Sequence, residues 1–225
     1  AHLAEGEGDE LWLVADGSEL RKPYAREMPC LMRVLDLDGG LVWGYRTLNV
    51  VGITPSRRAI LYHRLFSVKE QDFSSESLEV QRALQEVSAA VESVKAHREV
   101  TWIVDSAFDD VAVWRTIWEQ DEHVVCRLKH RERNVAWQGA QGQWVEGDIQ
   151  GALATLPKVA QAQTEMVVRR AGQPRAKRQP VPVEIRAGAI RLTYETNVRR
   201  EGAGEEVQQR LAHAAISFEP PDPGR

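Results

Sequence analysis

Cysteine is scarce in this chain: Cys30 and Cys126 are the only two among 225 residues. They match no metal-ligand spacing and no disulfide framework. The reading is two reduced, half-buried thiols in a cytosolic protein. Long hydrophobic runs are missing too. Stretches such as Trp12-Leu13-Val14-Ala15 fall far short of the ~20 apolar residues that span a bilayer. Ala1 to Glu10 is acidic and glycine-rich, so no secretory leader is expected there. His63, His97, His123 and His130 are scattered without a His-x-x-x-His or Glu-x-x-His spacing, which argues against zinc. No glycine-rich loop opens a helix, and no Gly-x-Ser-x-Gly elbow occurs. The usual nucleotide-loop and hydrolase signatures are therefore excluded.

What remains is an ordinary globular balance, 43% hydrophobic and 28% charged, enough for one domain or one and a half. The net charge of -4 excludes a wholly basic coat. Positive charge is nonetheless concentrated between residues 169 and 200. Arg169, Arg170, Arg175, Lys177, Arg178, Arg186, Arg191, Arg199 and Arg200 face only Glu184 and Glu195 there. A polyanion partner and a solvated loop around Pro174 and Pro180 are equally good accounts of it.

Periodicity orders the first 130 residues. Leu11 to Ala15 reads as a buried strand stopping at the turn Asp16-Gly17-Ser18. Ser18 to Leu37 reads as irregular. Val42 to Ile53 and Ala59 to Phe66 read as a hairpin around Thr54-Pro55-Ser56. Ser74-Ser75 offers a helix cap, and Val80, Leu84, Val87, Val91 and Val94 then fall on one helical face. Val100 to Val104 is a strand ending at Asp105; Val111, Trp114, Ile117 and Trp118 mark a second helix; His123 to Leu128 is another strand. This alternation implies an α/β fold with a partly parallel sheet. Beyond Arg133 the texture is β-rich. A short helix falls within Asp148 to Val159, and strands cover Glu165 to Arg170, Val181 to Arg186 and Ala189 to Tyr194, separated by turns. The divisions expected are a core over 1–133, a β-rich insertion over 134–210 and an unpacked tail over 211–225.

Asp16 and Asp105 are the chemical candidates. Each follows an apolar strand, and ligands in such sheets gather beyond the carboxyl ends of strands. Neighbouring carboxylates bind hard divalent cations. The competing account is that each aspartate only caps the turn that follows. Asp109 and Asp110 suit the first turn of the next helix, with Asp109 able to support the site from behind. Trp102, Trp114 and Trp118 read as packing.

These residues resemble a known family. Asp16-Gly17-Ser18-Glu19-Leu20-Arg21-Lys22-Pro23-Tyr24-Ala25 is similar to the first-aspartate region of DDE transposases from bacterial insertion sequences, in the insertion sequence 4 group. Gly44 to Asn49 and Tyr62 to Ser67 are similar to the hairpin that follows. Trp102 to Asp110 is similar to the second-aspartate motif, and Cys126 to Arg131 to the strand before the β insertion. The resemblance covers residues 9 to about 200, with about 90 residues between the aspartates. It implies an RNase H-like mixed sheet with flanking helices, plus a β-rich insertion. It implies Asp16 and Asp105 as catalytic metal ligands for Mg2+ or Mn2+ and double-stranded DNA at transposon ends and target as partner; the charge concentration then offers Arg169, Arg170, Arg175, Lys177 and Arg178 as the DNA contacts. It further implies a homodimer in a full-length synaptic complex, with nucleoid association in the cytoplasm.

The chain departs from the family in one respect. The family's glutamate sits in a Tyr-x2-Arg-x3-Glu-x6-Lys pattern. Here Tyr194 is followed by Asn197 and Glu201 but by Gln208 where the lysine belongs, in a glycine-rich stretch that makes a poor helix. The third carboxylate is thus expected to be absent, and the chain to be an internal or frameshifted piece with little activity of its own. Other readings are an RNase H-like nuclease taking its third acid from Asp109, Asp110 or Glu184, and a non-catalytic DNA-binding protein.

Overall fold

The structure, a computed structural model, describes residues 10–168, 177–195 and 207–218. The chain divides into two units, residues 1–129 and 130–225. No helix among the described residues is long and apolar enough to cross a membrane.

The first unit is α/β. Its elements are β1 (Glu10–Arg21), β2 (Met32–Leu35), β3 (Leu41–Ile53), β4 (Arg58–Phe66), α1 (Glu76–Ala90), α2 (Glu92–Lys95), β5 (Glu99–Val104), α3 (Val111–Trp118) and β6 (His123–Cys126). They build a mixed six-stranded sheet. β3 is antiparallel to β1, β2 and β4, while β1, β5 and β6 run parallel. From β4 inward the order is β4, β3, β1, β5, β6.

Alternation along the strands separates two faces. Leu11, Leu13 and Ala15 of β1 and Val100, Trp102 and Val104 of β5 are buried beneath the helices. Trp102 Nε1 donates to Glu122, whose carboxylate also accepts from Ser88 on α1, and Arg64 on β4 reaches Glu79 on α1. Helix α1 starts where the capping residues place it, with Ser75 Oγ accepting from the Leu78 amide at 3.2 Å. Its apolar face buries Ala83, Leu84 and Val87. The other face of the sheet carries Trp12, Ile103 and Val125, at 39%, 36% and 58% exposure. No helix of the described first unit covers them.

Local sequence reading departs from the structure at β1. The strand does not stop at Asp16-Gly17-Ser18 but runs on to Arg21, each residue paired with β3 down to Arg21 opposite Gly44. Pairing with a 13-residue partner strand overrides the turn preference of Asp-Gly, because β structure answers to neighbours more than to propensity. The same context draws β2 out of a stretch that reads as irregular.

The second unit is β-rich. It comprises β7 (Asn134–Gln138), β8 (Trp144–Asp148), α4 (Ile149–Thr155), β9 (Lys158–Val168), β10 (Lys177–Glu195) and β11 (Val207–Phe218). β10 is the spine: β11 pairs along one edge, β9 and β7 along the other. Val135, Trp137, Ile149, Ala152, Leu153, Leu156, Ile190 and Leu192 form its core. The expected break between Val181–Arg186 and Ala189–Tyr194 is absent. Gly188 is no turn but a gap for Leu156, since a Cβ there would lie 2.4 Å from Leu156 Cδ2. The expected unpacked tail over 211–225 is also corrected in part. Residues 211–218 lie in β11 and pair with β10, because a long β10 leaves an edge whose polar groups need partners; residues 219–225 lie outside the described residues.

Candidate functional site

Asp16 lies at a step in the sheet. On one side β1 continues to pair with β3, putting Asn49 opposite Asp16. On the other side the parallel ladder with β5 ends at Ala15 opposite Val104. The next residue on each strand is an aspartate, Asp16 and Asp105, and paired strands lie only about 4.8 Å apart. Ala15 and Val104 point into the helix-covered side, and Asp105 keeps extended backbone at φ −84° and ψ −175°. Alternation therefore turns both aspartates to the open face, where both are exposed.

The two carboxylates are not equivalent. Asp105 Oδ1 accepts from the Ala107 amide at 2.8 Å and caps the short 3-10 turn Ser106–Phe108. So the capping account of Asp105 is realised, with one oxygen used. The Asp16 side chain enters no hydrogen bond among the described residues. On β6, Cys126 Sγ donates to the Asp105 carbonyl at 3.5 Å. Cys30 and Cys126 are both half-buried, and neither is in a disulfide.

Two further residues join this row that sequence reasoning did not single out. His63 on β4 stands opposite Asn49 on β3, and Nδ1 of His63 lies 2.6 Å from Oδ1 of Asn49. An amide oxygen only accepts, so His63 donates from Nδ1, and the neutral ring keeps its lone pair on Nε2. Next to them Ser18 and Thr47 hydroxyls are 2.8 Å apart across the strands. The row His63, Asn49, Asp16, Asp105 thus crosses four strands on one face. Asn49 and His63 are polar residues inside β-prone runs. Their only sequence signal is polarity where alternation allows an apolar side chain, and only the register assembles them.

The other candidates lie elsewhere. Asp109 is buried, and its Oδ2 accepts from the Lys129 amide at 2.6 Å, fastening the segment after β6. Asp110 caps α3 through Ala112, at 2.8 Å, and accepts from Ser77 on α1. Glu184 belongs to the second unit. Hydrogen bonds from Lys158 and then Arg186, 2.9 and 3.1 Å long, hold its carboxyl below the ordinary range. It also lines a cleft of about 450 Å3 with Arg131, Gln150, Leu153, Ala154 and Arg186. Arg186 is already engaged there, donating to the Leu156 carbonyl at 2.8 Å. Of the basic candidates, Arg169, Arg170 and Arg175 lie outside the described residues. Lys177 opens β10, and Arg178 is exposed, 3.6 Å from Glu165.

Two carboxylates on adjacent strands suit one hydrated Mg2+ or Mn2+, which keeps several waters and needs few protein ligands. A two-metal arrangement needs more carboxylates than this. Among the described residues, no group of three or more His, Cys, Asp or Glu side chains is arranged to hold a metal ion.

No protein-family model matches the chain, and no curated protein matches it. Among solved structures it is similar to the Aquifex aeolicus PPX-GPPA enzyme, at 14% identity and a TM-score of 0.25, over 92% of this chain and 53% of that one. The chain spans about half the length of that structure, and a likeness at this TM-score carries no inference about activity.

Proposed function

We propose that the chain is the catalytic-core portion of a DDE-type DNA transposase of the insertion sequence 4 group, with an RNase H-like first unit and a β-rich second unit. One observation carries the reading: the parallel register of β1 and β5, with Ala15 opposite Val104, which makes Asp16 and Asp105 neighbours on an open face. Supporting it are the strand order β4-β3-β1-β5-β6 with its antiparallel β3, and the order of the sequence motifs.

In this reading Asp16 and Asp105 hold one Mg2+ or Mn2+. When bound, such an ion polarises a phosphodiester oxygen and lowers the pKa of a bound water. Asp16 supplies carboxylate oxygens from a strand that β3 still pairs at that point. Asp105 supplies Oδ2 while its Oδ1 holds the turn in place. His63, aligned by Asn49, offers Nε2 as a proton acceptor on the same face. Double-stranded DNA is the partner. A homodimer and nucleoid association belong to the full-length protein. With two carboxylates rather than three, cleavage is slow.

Nicking of a supercoiled plasmid with Mg2+ or Mn2+ tests the reading. Asp105→Asn should lower the rate by about a hundredfold or more, the size of losing one electrostatic contact at a reacting centre. It should leave folding intact, because Asn caps a turn as well as Asp. Equal nicking by wild type and Asp105→Asn would overturn it. The use of Asp105 Oδ1 as a cap favours a second reading, a DNA-binding protein without chemistry. Duplex binding unchanged in Asp16→Asn plus Asp105→Asn, with no metal-dependent nicking, would select that one.

A further inference from the structure

We propose that a second DNA-contacting surface lies in the first unit, at the β2 end of the sheet, formed by Arg33, Lys69 and Trp43 with the adjoining turn at Lys22–Arg26. It is distinct from the basic segment at 169–200. The inference rests on DNA being the partner, not on the chemistry at Asp16 and Asp105.

Alternation along β3 places Thr47, Tyr45 and Trp43 on the same side of the sheet as Asn49, but Thr47 and Tyr45 are buried there, the Tyr45 hydroxyl donating to the Pro29 carbonyl, so Trp43 belongs to a separate patch. Trp43 is half-buried and lies opposite Arg33 of β2. The Arg33 guanidinium sits 4.9 Å from the centroid of the indole ring and the Lys69 ammonium 5.0 Å. Each cation gains from the ring's negative face. Holding two like charges at one ring is costly for folding alone, and neither has an ion-pair partner among the described residues. Both are exposed. The pair places two positive charges at one ring on a protein of net charge -4.

The next turn adds to it. The Lys22 amide donates to the Trp43 carbonyl at 2.7 Å, and the Ala25 amide donates to the Lys22 carbonyl at 3.0 Å. This pins the turn beside Trp43. Tyr24 projects from it at 94% exposure, with Lys22 and Arg26 on either side in sequence. Cations interleaved with an exposed aromatic ring suit a phosphate backbone with bases to stack on. Trp43 is six residues from Asn49 along β3, about 20 Å at the rise of a strand.

The test is fluorescence anisotropy with a labelled 20-base-pair duplex in EDTA, at a series of salt concentrations, using the full chain. Arg33→Gln plus Lys69→Gln keeps most of the aliphatic stems over the indole and removes both charges. Its log-log salt slope should be shallower than that of the wild type by about 1.8, at ~0.9 per phosphate contact. Arg178→Gln in the second unit should leave that difference in place. Tyr24→Ala should weaken binding of a single-stranded oligonucleotide by at least fivefold. Should the double variant fail to fold by circular dichroism, Lys69→Gln alone, on an exposed turn, is read for a slope change of about 0.9. An unchanged slope, or no duplex binding by the wild type in EDTA, overturns the proposal. Binding that follows these expectations with no metal-dependent nicking sustains it while removing the catalytic reading.

Discussion

The two faces of the first unit's sheet treat carboxylates in opposite ways. On the helix-covered face Glu79 and Glu122 are 1% and 3% exposed, and each is surrounded by donors. Glu79 lies 3.1 Å from both Arg64 and Arg82. Glu122 takes Lys95 Nζ at 2.6 Å, Trp102 Nε1 at 2.5 Å and Ser88 Oγ at 2.7 Å. On the open face Asp16 has no such partner, and Asp105 has one backbone amide. Burial explains the first arrangement, because a buried charge without partners is too costly to persist. It does not explain the second. Asp105 is accounted for by its turn cap; the exposed carboxylate of Asp16 has no side-chain partner that accounts for its place.

The sharpest way to break this contrast is at Glu122. Glu122→Ala leaves the Trp102 indole N–H and the Ser88 hydroxyl without their acceptor and the Lys95 ammonium with Glu92 alone, at 3.2 Å. Removing one partner of a fully buried ion pair costs about 3–5 kcal/mol; here the carboxylate is buried and Lys95 only half-buried, so the loss should lie near the lower end, at about 3 kcal/mol. Urea unfolding followed by tryptophan fluorescence should show a loss of that size, and a loss below about 1 kcal/mol would mean that the covered face is no more dependent on its charges than the open one.

The same pair predicts a pH dependence. Burial pulls the Lys95 ammonium down, but its hydrogen bond and charge attraction to Glu122, then Glu92, outweigh burial and raise it. A raised lysine contributes stability that is whole below its unfolded value, near 10.4, and is lost as pH climbs through the folded value. Wild type should therefore lose stability above about pH 10.4 more steeply than Lys95→Met. Parallel curves for the two would remove Lys95 from the account.

How far the sequence discloses this contrast depends on what each residue answers to. Asp105 is legible, because Val100 to Val104 is a continuous β-prone run and the chain turns where it ends. The cap at Ser75 and the packing of Trp102 are legible for similar local reasons. Asp16 is legible as a candidate but misplaced: Asp-Gly signals a turn, and only the pairing with β3 keeps the strand going. Asn49 and His63 are invisible as site residues, because nothing in either segment alone says that register will align them with Asp16. In the second unit Gly188 reads as a break, and only the side chain of Leu156 shows that it fills a packing requirement.

A smaller effect separates the two uses of Asp105. Asp105→Ala removes the Oδ1 acceptor of the Ala107 amide, and a lost cap costs about 0.5–2 kcal/mol. Asp105→Asn keeps the acceptor and removes the charge, so its stability should stay close to that of the wild type. If both variants lose the same stability, the charge itself holds the turn, and Asp105→Asn ceases to be a clean probe of metal binding.

The smallest effect on stability is expected at Asp16, and it bears most directly on the meaning of the open face. With an exposed carboxylate and no side-chain hydrogen bond among the described residues, Asp16→Asn should change unfolding free energy by no more than about 0.5 kcal/mol. Relief of repulsion from Asp105 should make any change stabilising. Added Mn2+ should reverse the ranking. A ligand that binds only the folded state stabilises it by an amount that grows with concentration over its dissociation constant. The wild type should therefore gain thermal stability as Mn2+ is raised, while Asp16→Asn gains less. An equal gain in both would place the cation elsewhere and leave the two aspartates as neighbours without a shared task.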